Sequence, residues 1–318
     1  MAPDAGNAAG TVAEGSAALG PWIDGCLARF ERAARQALPP VTREPSRLHD
    51  AMRYAVLDGG KRVRPLLVYA AGEVGSVSAA ALDAMALAVE YVHAYSLVHD
   101  DMPCMDDDVL RRGKPTVHVA YDEATAMLAG DALQAEAFRV LAAAPLPAPA
   151  CVALIHELAV AISTSGMCGG QAIDLAAVGH KLDLAQLERM HRMKTGALLR
   201  ASIRMPAIAA GFAGAAGGMA SALDGYADAI GLAFQVVDDI LDVEATSDEL
   251  GKTAGKDARQ NKPTYVSAIG LEAARSWAED LRRQAHASLD GIAGVAGIAG
   301  AATARLHQLA DMIVLRRS

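Results

Sequence analysis

Carboxylates are concentrated in two short segments of this sequence. The first segment holds five aspartates within nine residues: Asp100, Asp101, Asp106, Asp107 and Asp108. The second holds three, in the order D-D-x-x-D: Asp238, Asp239 and Asp242. On a helix the first and last of these three point the same way. Carboxylates that converge beside apolar residues are unfavourable unless a cation neutralises them. Carboxylate oxygens are suitable ligands for a Mg²⁺ ion that also binds substrate phosphates. Both segments therefore predict magnesium sites.

Two other interpretations of such acidic segments have to be considered. A solvated acidic helix face is the common alternative. An EF-hand is disfavoured, because neither segment has the D-x-[DN]-x-[DN]-G spacing with a glutamate at the twelfth position.

Basic residues accompany both acidic segments. The segment GGKRVRP (59–65) predicts a turn that leads into a helix, where Lys61 and Arg64 converge on one anion near the helix N-terminus. Arg111 and Arg112 directly follow the first acidic segment, and further lysines follow or precede the second: Lys194, Lys252 and Lys256. A lone G-G-K is weak evidence and lacks the spacing of a P-loop. Together, the acids and bases predict a cavity that holds two polyphosphates, one of them through Mg²⁺.

The elements that must position these residues are helices. The stretch 82–99 is apolar on most of its circumference, as expected of an interior helix that ends at the first acidic segment. Helical spacing also covers 22–38, 46–57, 123–142, 151–166, 183–204, 223–244, 264–288 and 300–316. Glycine and proline clusters separate these stretches, including 166–170, and no alternating strand pattern is found. We predict an all-α, single-domain protein in which one helical domain covers residues 21–318, with residues 1–20 as a flexible lead-in.

The composition agrees with a helical globular protein and excludes several classes. Hydrophobic residues make up 53% of the 318 residues, aromatic residues only 4%, and the formal net charge is −8. An acidic chain is a poor match for nucleic acid. The four cysteines form no C-x-x-C pair, and no lysine or arginine precedes Arg29, so neither a signal peptide nor a transit peptide is indicated. We expect a reduced, cytoplasmic setting, and we interpret the charge-free stretch 205–223 as buried rather than membrane-spanning.

At this point the motifs resemble a known family. The chain is similar to the trans-isoprenyl diphosphate synthases, the polyprenyl synthetase family, and within it to the bacterial farnesyl diphosphate synthases. The matching segments follow the family's order over about 200 residues: 59–65, 90–118, 128–133, 170–175, 193–198, 231–242 and 251–257. The first acidic motif, D-D-x-x-x-x-D with Pro103 and Cys104 as the extra residues, resembles the bacterial and plastid branch.

The resemblance implies a bundle of antiparallel helices around a deep central cavity, together with an activity and a set of residue roles. It implies condensation of isopentenyl diphosphate with dimethylallyl or geranyl diphosphate to (2E,6E)-farnesyl diphosphate, with the departing diphosphate as the acceptor of the proton. It implies several Mg²⁺ ions held by Asp100, Asp101, Asp106, Asp238 and Asp242. It implies that the allylic diphosphate contacts Arg111, Lys194, Thr195, Gln235 and Lys252. Isopentenyl diphosphate would meet Lys61, Arg64, His93 and Arg112. The family usually forms homodimers, and no nucleic-acid or membrane partner is implied. Gln171 and Asp174 are equally consistent with a helix cap and with orienting basic groups.

Tyr95 bears on the length of the product. It lies five residues, about 7.5 Å of helix rise, before Asp100, while Ser96 is small. A bulky ring at this depth would form the floor of the pocket and favour a fifteen-carbon product. Three alternatives stay open: a geranylgeranyl diphosphate synthase, a terpene cyclase, for which the GGKR segment is unexpected, and a non-catalytic synthase-like subunit, for which the intact acidic and basic motifs are unexpected.

Overall fold

The computed structural model describes residues 8–57, 59–212, 218–244, 263–293 and 302–316. The helices of these residues are, in chain order, α1 (Ala8–Ala37), α2 (Ser46–Val56), α3 (Val63–Val74), α4 (Ala79–Asp100), α5 (Val117–Ala120), α6 (Glu123–Ala142), α7 (Ala148–Ile162), α8 (Met167–Ala176), α9 (Leu184–His191), α10 (Ala197–Ala209), α11 (Met219–Glu244), α12 (Tyr265–Ile269), α13 (Leu271–Ala293) and α14 (Ala304–Leu315). A π-helical turn, Arg192–Gly196, joins α9 to α10. The predicted all-α class is confirmed.

Helix α4 is the central element of the fold. Most of its side chains are buried, which agrees with a sequence that is apolar all round. It packs against α1, α2, α3, α6 and α10. The helix ends at Asp100, three residues before Pro103. A proline disfavours the helical conformation of the residue before it, so the helix cannot easily continue to this point. The first acidic segment is therefore carried out of the core on a turn.

Helix α11 is the second element that carries acidic residues. It packs against α10, the π-helical turn, α13 and α14, and its buried residues belong to two of the hydrophobic cores. Gly231 lets it approach the π-helical turn closely, since a Cβ atom at this position would lie 3.1 Å from the Cα atom of Gly196. Asp238, Asp239 and Asp242 all lie in its last two turns.

Two predictions of the chain's organisation differ from the structure. Residues 8–20, expected in a flexible lead-in, belong to α1, which agrees with the high helix propensity of their alanines. The glycines of 166–170, interpreted as a breaker, largely belong to α8, which begins at Met167. Packing explains the second difference, because a Cβ atom at Gly170 would lie 2.2 Å from the backbone nitrogen of Lys194.

Three further features were not predicted. The stretch 183–204 is divided by the π-helical turn, and the stretch 264–288 is divided at Gly270, whose φ is +84°. Directly after the first acidic segment, the strands β1 (Leu110–Arg111) and β2 (Lys114–Pro115) form a two-stranded antiparallel ribbon. The ribbon returns the chain to the bundle and places two arginines beside α4.

Among the described residues, one apolar stretch, 148–176, is long enough to cross a membrane and contains an 18-residue window with a mean hydropathy of 1.5. The structure divides it into α7 and α8 at the turn 163–166. Each of these helices is shorter than the roughly 20 residues that cross a bilayer.

Candidate active site

The first of two adjoining cavities is basic. It measures about 550 Å³, and its wall brings together all four residues predicted to meet isopentenyl diphosphate: Lys61, Arg64, His93 and Arg112. These residues come from the loop before α3, from α3, from α4 and from the β1–β2 ribbon. The cavity therefore gathers cationic and hydrogen-bonding side chains that lie far apart in the sequence.

Unusual backbone conformations shape this basic wall. Arg62 and Arg112 adopt φ values of +49° and +53°, in the left-handed region that L-residues rarely occupy. Gly60 has a φ of +96°, and a Cβ atom there would lie 2.5 Å from Nη1 of Arg112. The glycine thus allows the arginine of the ribbon to lie against the loop that carries Lys61.

The surroundings of His93 favour its neutral form. Burial lowers its pKa well below the usual range, and the neighbouring guanidinium groups of Arg64, Arg112, Arg111 and Arg62 lower it further. A neutral imidazole carries one N–H donor. It can donate a hydrogen bond to a phosphate oxygen without adding another charge to an already basic wall.

The second cavity is largely apolar and measures about 360 Å³. Asp100, Lys194 and Thr195 lie in its wall, and so do the two residues predicted to set product length, Tyr95 and Ser96. Sulfur atoms contribute much of the remaining lining: Met102, Met105, Met127, Met167, Cys104 and Cys168. Arg64, His93 and Leu97 line both cavities. The two cavities therefore share a wall.

Tyr95 is well fixed in the apolar cavity. Only 6% of the residue is exposed. Its ring meets the imidazole of His99 edge to face, with 5.9 Å between ring centroids, and its hydroxyl accepts a 3.5 Å hydrogen bond from Gln134. Gly130 makes room for His99, since a Cβ atom there would lie 2.0 Å from Nε2 of the imidazole. The segment 128–133 thus acts in helix packing.

Asp100 is held by residues of α8 and of the π-helical turn. Its Oδ1 atom accepts a 2.8 Å hydrogen bond from Gln171. Burial raises its pKa to about 6, against the attraction of Lys194 and with the help of Asp106. Lys194 in turn lies 2.5 Å from Oδ2 of the buried Asp174. Asp174 therefore contacts a basic group, as one of the two interpretations has it, whereas Gln171 contacts the acidic Asp100.

Asp101 differs from its neighbour. It is 3% exposed, faces the basic cavity, and receives three hydrogen bonds of 2.5–2.9 Å from the guanidinium of Arg111. Both of its carboxylate oxygens are therefore used. Asp101 thus orients Arg111, which lines the basic cavity, and its predicted role as a metal ligand stays a prediction. The sequence does not reveal this pairing, because adjacent aspartates look equivalent until the helix end is placed.

The second acidic segment also contains residues with separate partners. Asp238 lies in the wall of the basic cavity, and its Oδ1 atom is 2.5 Å from Nη2 of Arg316. Gln235 accepts a hydrogen bond from Thr195 (3.2 Å) and donates one to Asp239 (2.9 Å). This chain of contacts joins the π-helical turn to α11. Asp242 is buried one turn further along the helix.

The carboxylates do not form a ready-made metal cage. Among the residues that the structure describes, no three Asp, Glu, His or Cys side chains are grouped closely enough to hold an ion by themselves. Lys252 and Lys256 lie outside the described residues, so the predicted role of Lys252 stays a prediction. The donors present, Asp100, Asp106 and Asp238, fit an ion that takes one or two carboxylates and completes its shell with phosphate and water, as Mg²⁺ does.

Sequence reasoning missed three residues of this region: Arg316, Arg62 and Glu90. Arg316 lies at the far end of the chain, stacks 4.2 Å from the ring of Phe234 and reaches Asp238, and no motif surrounds it. Arg62 and Glu90 stand inside matched motifs, but only the fold shows that they contact each other at 2.7 Å.

Comparisons with known proteins agree with this geometry. A sequence model of the family described as polyprenyl synthetase matches residues 45–291. A probable farnesyl diphosphate synthase of Bradyrhizobium diazoefficiens is 52% identical over 83% of this chain and 80% of its own length. A farnesyl diphosphate synthase of Escherichia coli K12 is 47% identical over 92% of this chain and 97% of its own length. The crystal structure of an FPP/GFPP synthase from Zymomonas mobilis has a TM-score of 0.81 at 40% identity, covering 94% of this chain and 99% of that one. The chain belongs to the polyprenyl synthetase family.

Proposed function

We propose that this chain is a prenyltransferase that condenses isopentenyl diphosphate with geranyl or dimethylallyl diphosphate to give (2E,6E)-farnesyl diphosphate. The observation that carries this proposal is the wall shared by the two cavities. Arg64, His93 and Leu97 face both the basic cavity and the apolar cavity below Asp100. Two diphosphates bound on the two sides would bring their hydrocarbon parts together there.

The basic cavity suits isopentenyl diphosphate, the substrate that keeps its diphosphate during the reaction. Lys61, Arg64 and Arg112 supply positive charge, and neutral His93 supplies a hydrogen-bond donor. Cationic side chains can neutralise a diphosphate without a metal ion, so we infer that this site needs no Mg²⁺ of its own. Isopentenyl diphosphate bound there would present its double bond towards the shared wall.

The allylic diphosphate would lie at the mouth of the apolar cavity, near Asp100 and Lys194. Asp100, Asp106 and Asp238 would hold Mg²⁺, which, when bound, stabilises the negative charge of the departing diphosphate. Lys194, oriented by Asp174, adds positive charge where negative charge develops. Thr195 and Gln235 present dipoles beside it. The apolar lining excludes water from the allylic cation.

No side-chain base is required for the last step. The neutral His93 lies with the other diphosphate, and the departing diphosphate can take the proton that leaves the condensation product. The same group then serves as leaving group and as proton acceptor.

The size of the product follows from the apolar cavity. Tyr95 lies in its wall and is held there by His99 and Gln134. We infer that a chain of fifteen carbons reaches this ring, whereas a geranylgeranyl chain would collide with it. We also infer a homodimer and a cytoplasmic location, as the sequence predicts. All four cysteines lie in described segments and none forms a disulfide, which is consistent with a reducing compartment.

A product assay tests the proposal. Purified protein would receive labelled isopentenyl diphosphate with dimethylallyl or geranyl diphosphate, with and without Mg²⁺, and the dephosphorylated products would be sized. We expect a fifteen-carbon alcohol that depends on Mg²⁺. Asp100→Asn is the matched variant, and its turnover should fall about a hundredfold or more. A product of twenty carbons would contradict the role of Tyr95, and the absence of any product would contradict the whole proposal.

A further inference from the structure

Arg62 is the buried arginine of the loop that precedes α3. It is 4% exposed, and its guanidinium lies 2.7 Å from Oε1 of Glu90 on α4 and 2.8 Å from Oε1 of Glu31 on α1. It also donates to the carbonyl oxygen of Val56 and stacks 4.9 Å from the ring of Phe30. These contacts occupy the guanidinium, so Arg62 is not placed to bind a diphosphate itself.

Glu90 is a buried acid in the wall of the basic cavity. It is 2% exposed, lines the basic cavity and lies one helical turn before His93. The charge of Glu90 also affects arginines other than Arg62. Burial lowers the pKa of Arg64 and of Arg112, and in both cases the carboxylate of Glu90 opposes that shift. Glu90 is therefore close enough to interact with both of the arginines expected to meet isopentenyl diphosphate.

A buried carboxylate among arginines pairs with the guanidinium that offers the best geometry. In this structure that partner is Arg62, which also lines the basic cavity but directs its guanidinium to Glu90 and Glu31. If Arg62 were absent, Arg64 and Arg112, which line the same cavity, would be left to interact with the carboxylate of Glu90. Either pairing would neutralise a cation that the diphosphate needs.

We propose that Arg62 is a positioning residue for isopentenyl diphosphate, and that it acts by holding the carboxylate of Glu90 away from Arg64 and Arg112. This inference rests on the proposed function. It assigns a task to an arginine that touches no substrate. It also explains why a basic cavity includes a fully buried acid: the Arg62–Glu90 pair is charge-neutral, ties the loop to α4 and leaves the cavity cations available.

Steady-state kinetics on Arg62→Met, Glu90→Gln and the double variant test the inference. For Arg62→Met we expect the KM for isopentenyl diphosphate to rise about tenfold or more, with the KM for geranyl diphosphate and kcat within about threefold of the wild type. Glu90→Gln alone should stay within about threefold of the wild type, because Arg62 keeps its contact with Glu31. The double variant should recover most of the loss, because the competing carboxylate is gone.

The rescue separates positioning from support of the fold. If Arg62 were merely structural, the double variant would be as poor as Arg62→Met or worse, and that result would overturn the inference. An unchanged KM for isopentenyl diphosphate in Arg62→Met would overturn it too. If the Met variant does not fold, Arg62→Gln, which keeps a donor for the carbonyl of Val56, takes its place with the same expected values.

Arg29→Met is the matched control. Arg29 also lies on a helix of this core, pairs with Asp83 at 2.7 Å and stacks 4.8 Å from the ring of Tyr69, but it lines neither cavity. The Arg29→Met variant should be less stable than the wild type and should have an unchanged KM for isopentenyl diphosphate. A wild-type chain that forms no product would overturn the proposed function and this inference together. An active wild type with an unaltered Arg62→Met variant would overturn this inference alone.

Discussion

At the scale of single residues, Tyr95 is the side chain whose role is easiest to isolate. Its ring lies in the apolar cavity, and the two contacts that fix it, with His99 and Gln134, come from its own helix and from α6. Neither contact involves the residues assigned to diphosphate binding. The ring can therefore be removed without altering the charge of the site.

We expect Tyr95→Ala to lengthen the main product beyond fifteen carbons, because the ring that blocks the growing chain is gone. Gas chromatography of the dephosphorylated products would measure the change. Tyr95→Phe is the control, since it keeps the ring and loses only the 3.5 Å contact with Gln134, and its product should remain farnesyl. An unaltered product spectrum in the Ala variant would show that another residue limits the chain.

At the scale of elements, the π-helical turn Arg192–Gly196 is the feature that positions the allylic side of the site. It presents Lys194 towards Asp174 and Thr195 towards Gln235, so one short turn connects α8 with α11. π-helical turns are rare and frequently occur at functional sites. Here the turn is supported by two glycines of neighbouring helices, Gly170 and Gly231, which let backbones come into contact.

Gly170→Ala tests this arrangement. Its Cβ atom would lie 2.2 Å from the nitrogen and 2.6 Å from the Cα atom of Lys194, so backbone must move. We expect the variant to lose about 1–3 kcal/mol in urea unfolding. Turnover should fall about tenfold to a hundredfold, because Lys194 is displaced from the allylic diphosphate.

Gly25→Ala is the control for this experiment. Nothing lies within 4 Å of a Cβ atom at Gly25 in α1, and alanine favours the helix by up to about 1 kcal/mol. This variant should be as stable as the wild type or more stable, with normal turnover. Equal behaviour of the two variants would contradict a specific role for the close approach at Gly170.

At the scale of the whole molecule, His191 links stability to pH. It is 7% exposed, its ring lies 5.2 Å from the ring of Tyr265 at an angle of 35°, and neither ring nitrogen finds a hydrogen bond within the described segments. Burial lowers its pKa to about 4, with Lys194 adding to this shift and Asp174 opposing it. The folded chain therefore keeps this imidazole neutral, whereas the unfolded chain protonates it near pH 6.5.

The sign of the effect follows from this difference. The contribution to stability is complete above about pH 6.5 and is lost as the pH falls towards about 4, an effect of about 3 kcal/mol by linkage. Denaturant unfolding at several pH values between these two would measure the free energy of unfolding. As the pH falls, we expect this free energy to decline less steeply for His191→Phe than for the wild type. His180→Phe, at an exposed position, should follow the wild type. Parallel curves for all three chains would contradict the assignment to His191.

Much of the fold and of the site could be predicted, for identifiable reasons. Helix α4 and the acidic end of α11 were found because a buried helix with carboxylates at its end is improbable without a ligand. The pairing of Asp101 with Arg111 was not predicted, because it depends on the β1–β2 ribbon, which is too short to leave an alternating pattern. Glu90 and Arg316 could not be assigned, since their partners lie 28 and 78 residues away in the sequence and only packing brings them together.

The lining of the apolar cavity has a consequence for redox chemistry. Four thioethers and two thiols face the space where the prenyl chain would lie. Oxidation of a methionine to its sulfoxide places a polar oxygen on an apolar surface. Brief treatment with peroxide should therefore raise the KM for geranyl diphosphate more than that for isopentenyl diphosphate. Bound product should protect against the treatment, and methionine sulfoxide reductase with a thiol reductant should restore the original value.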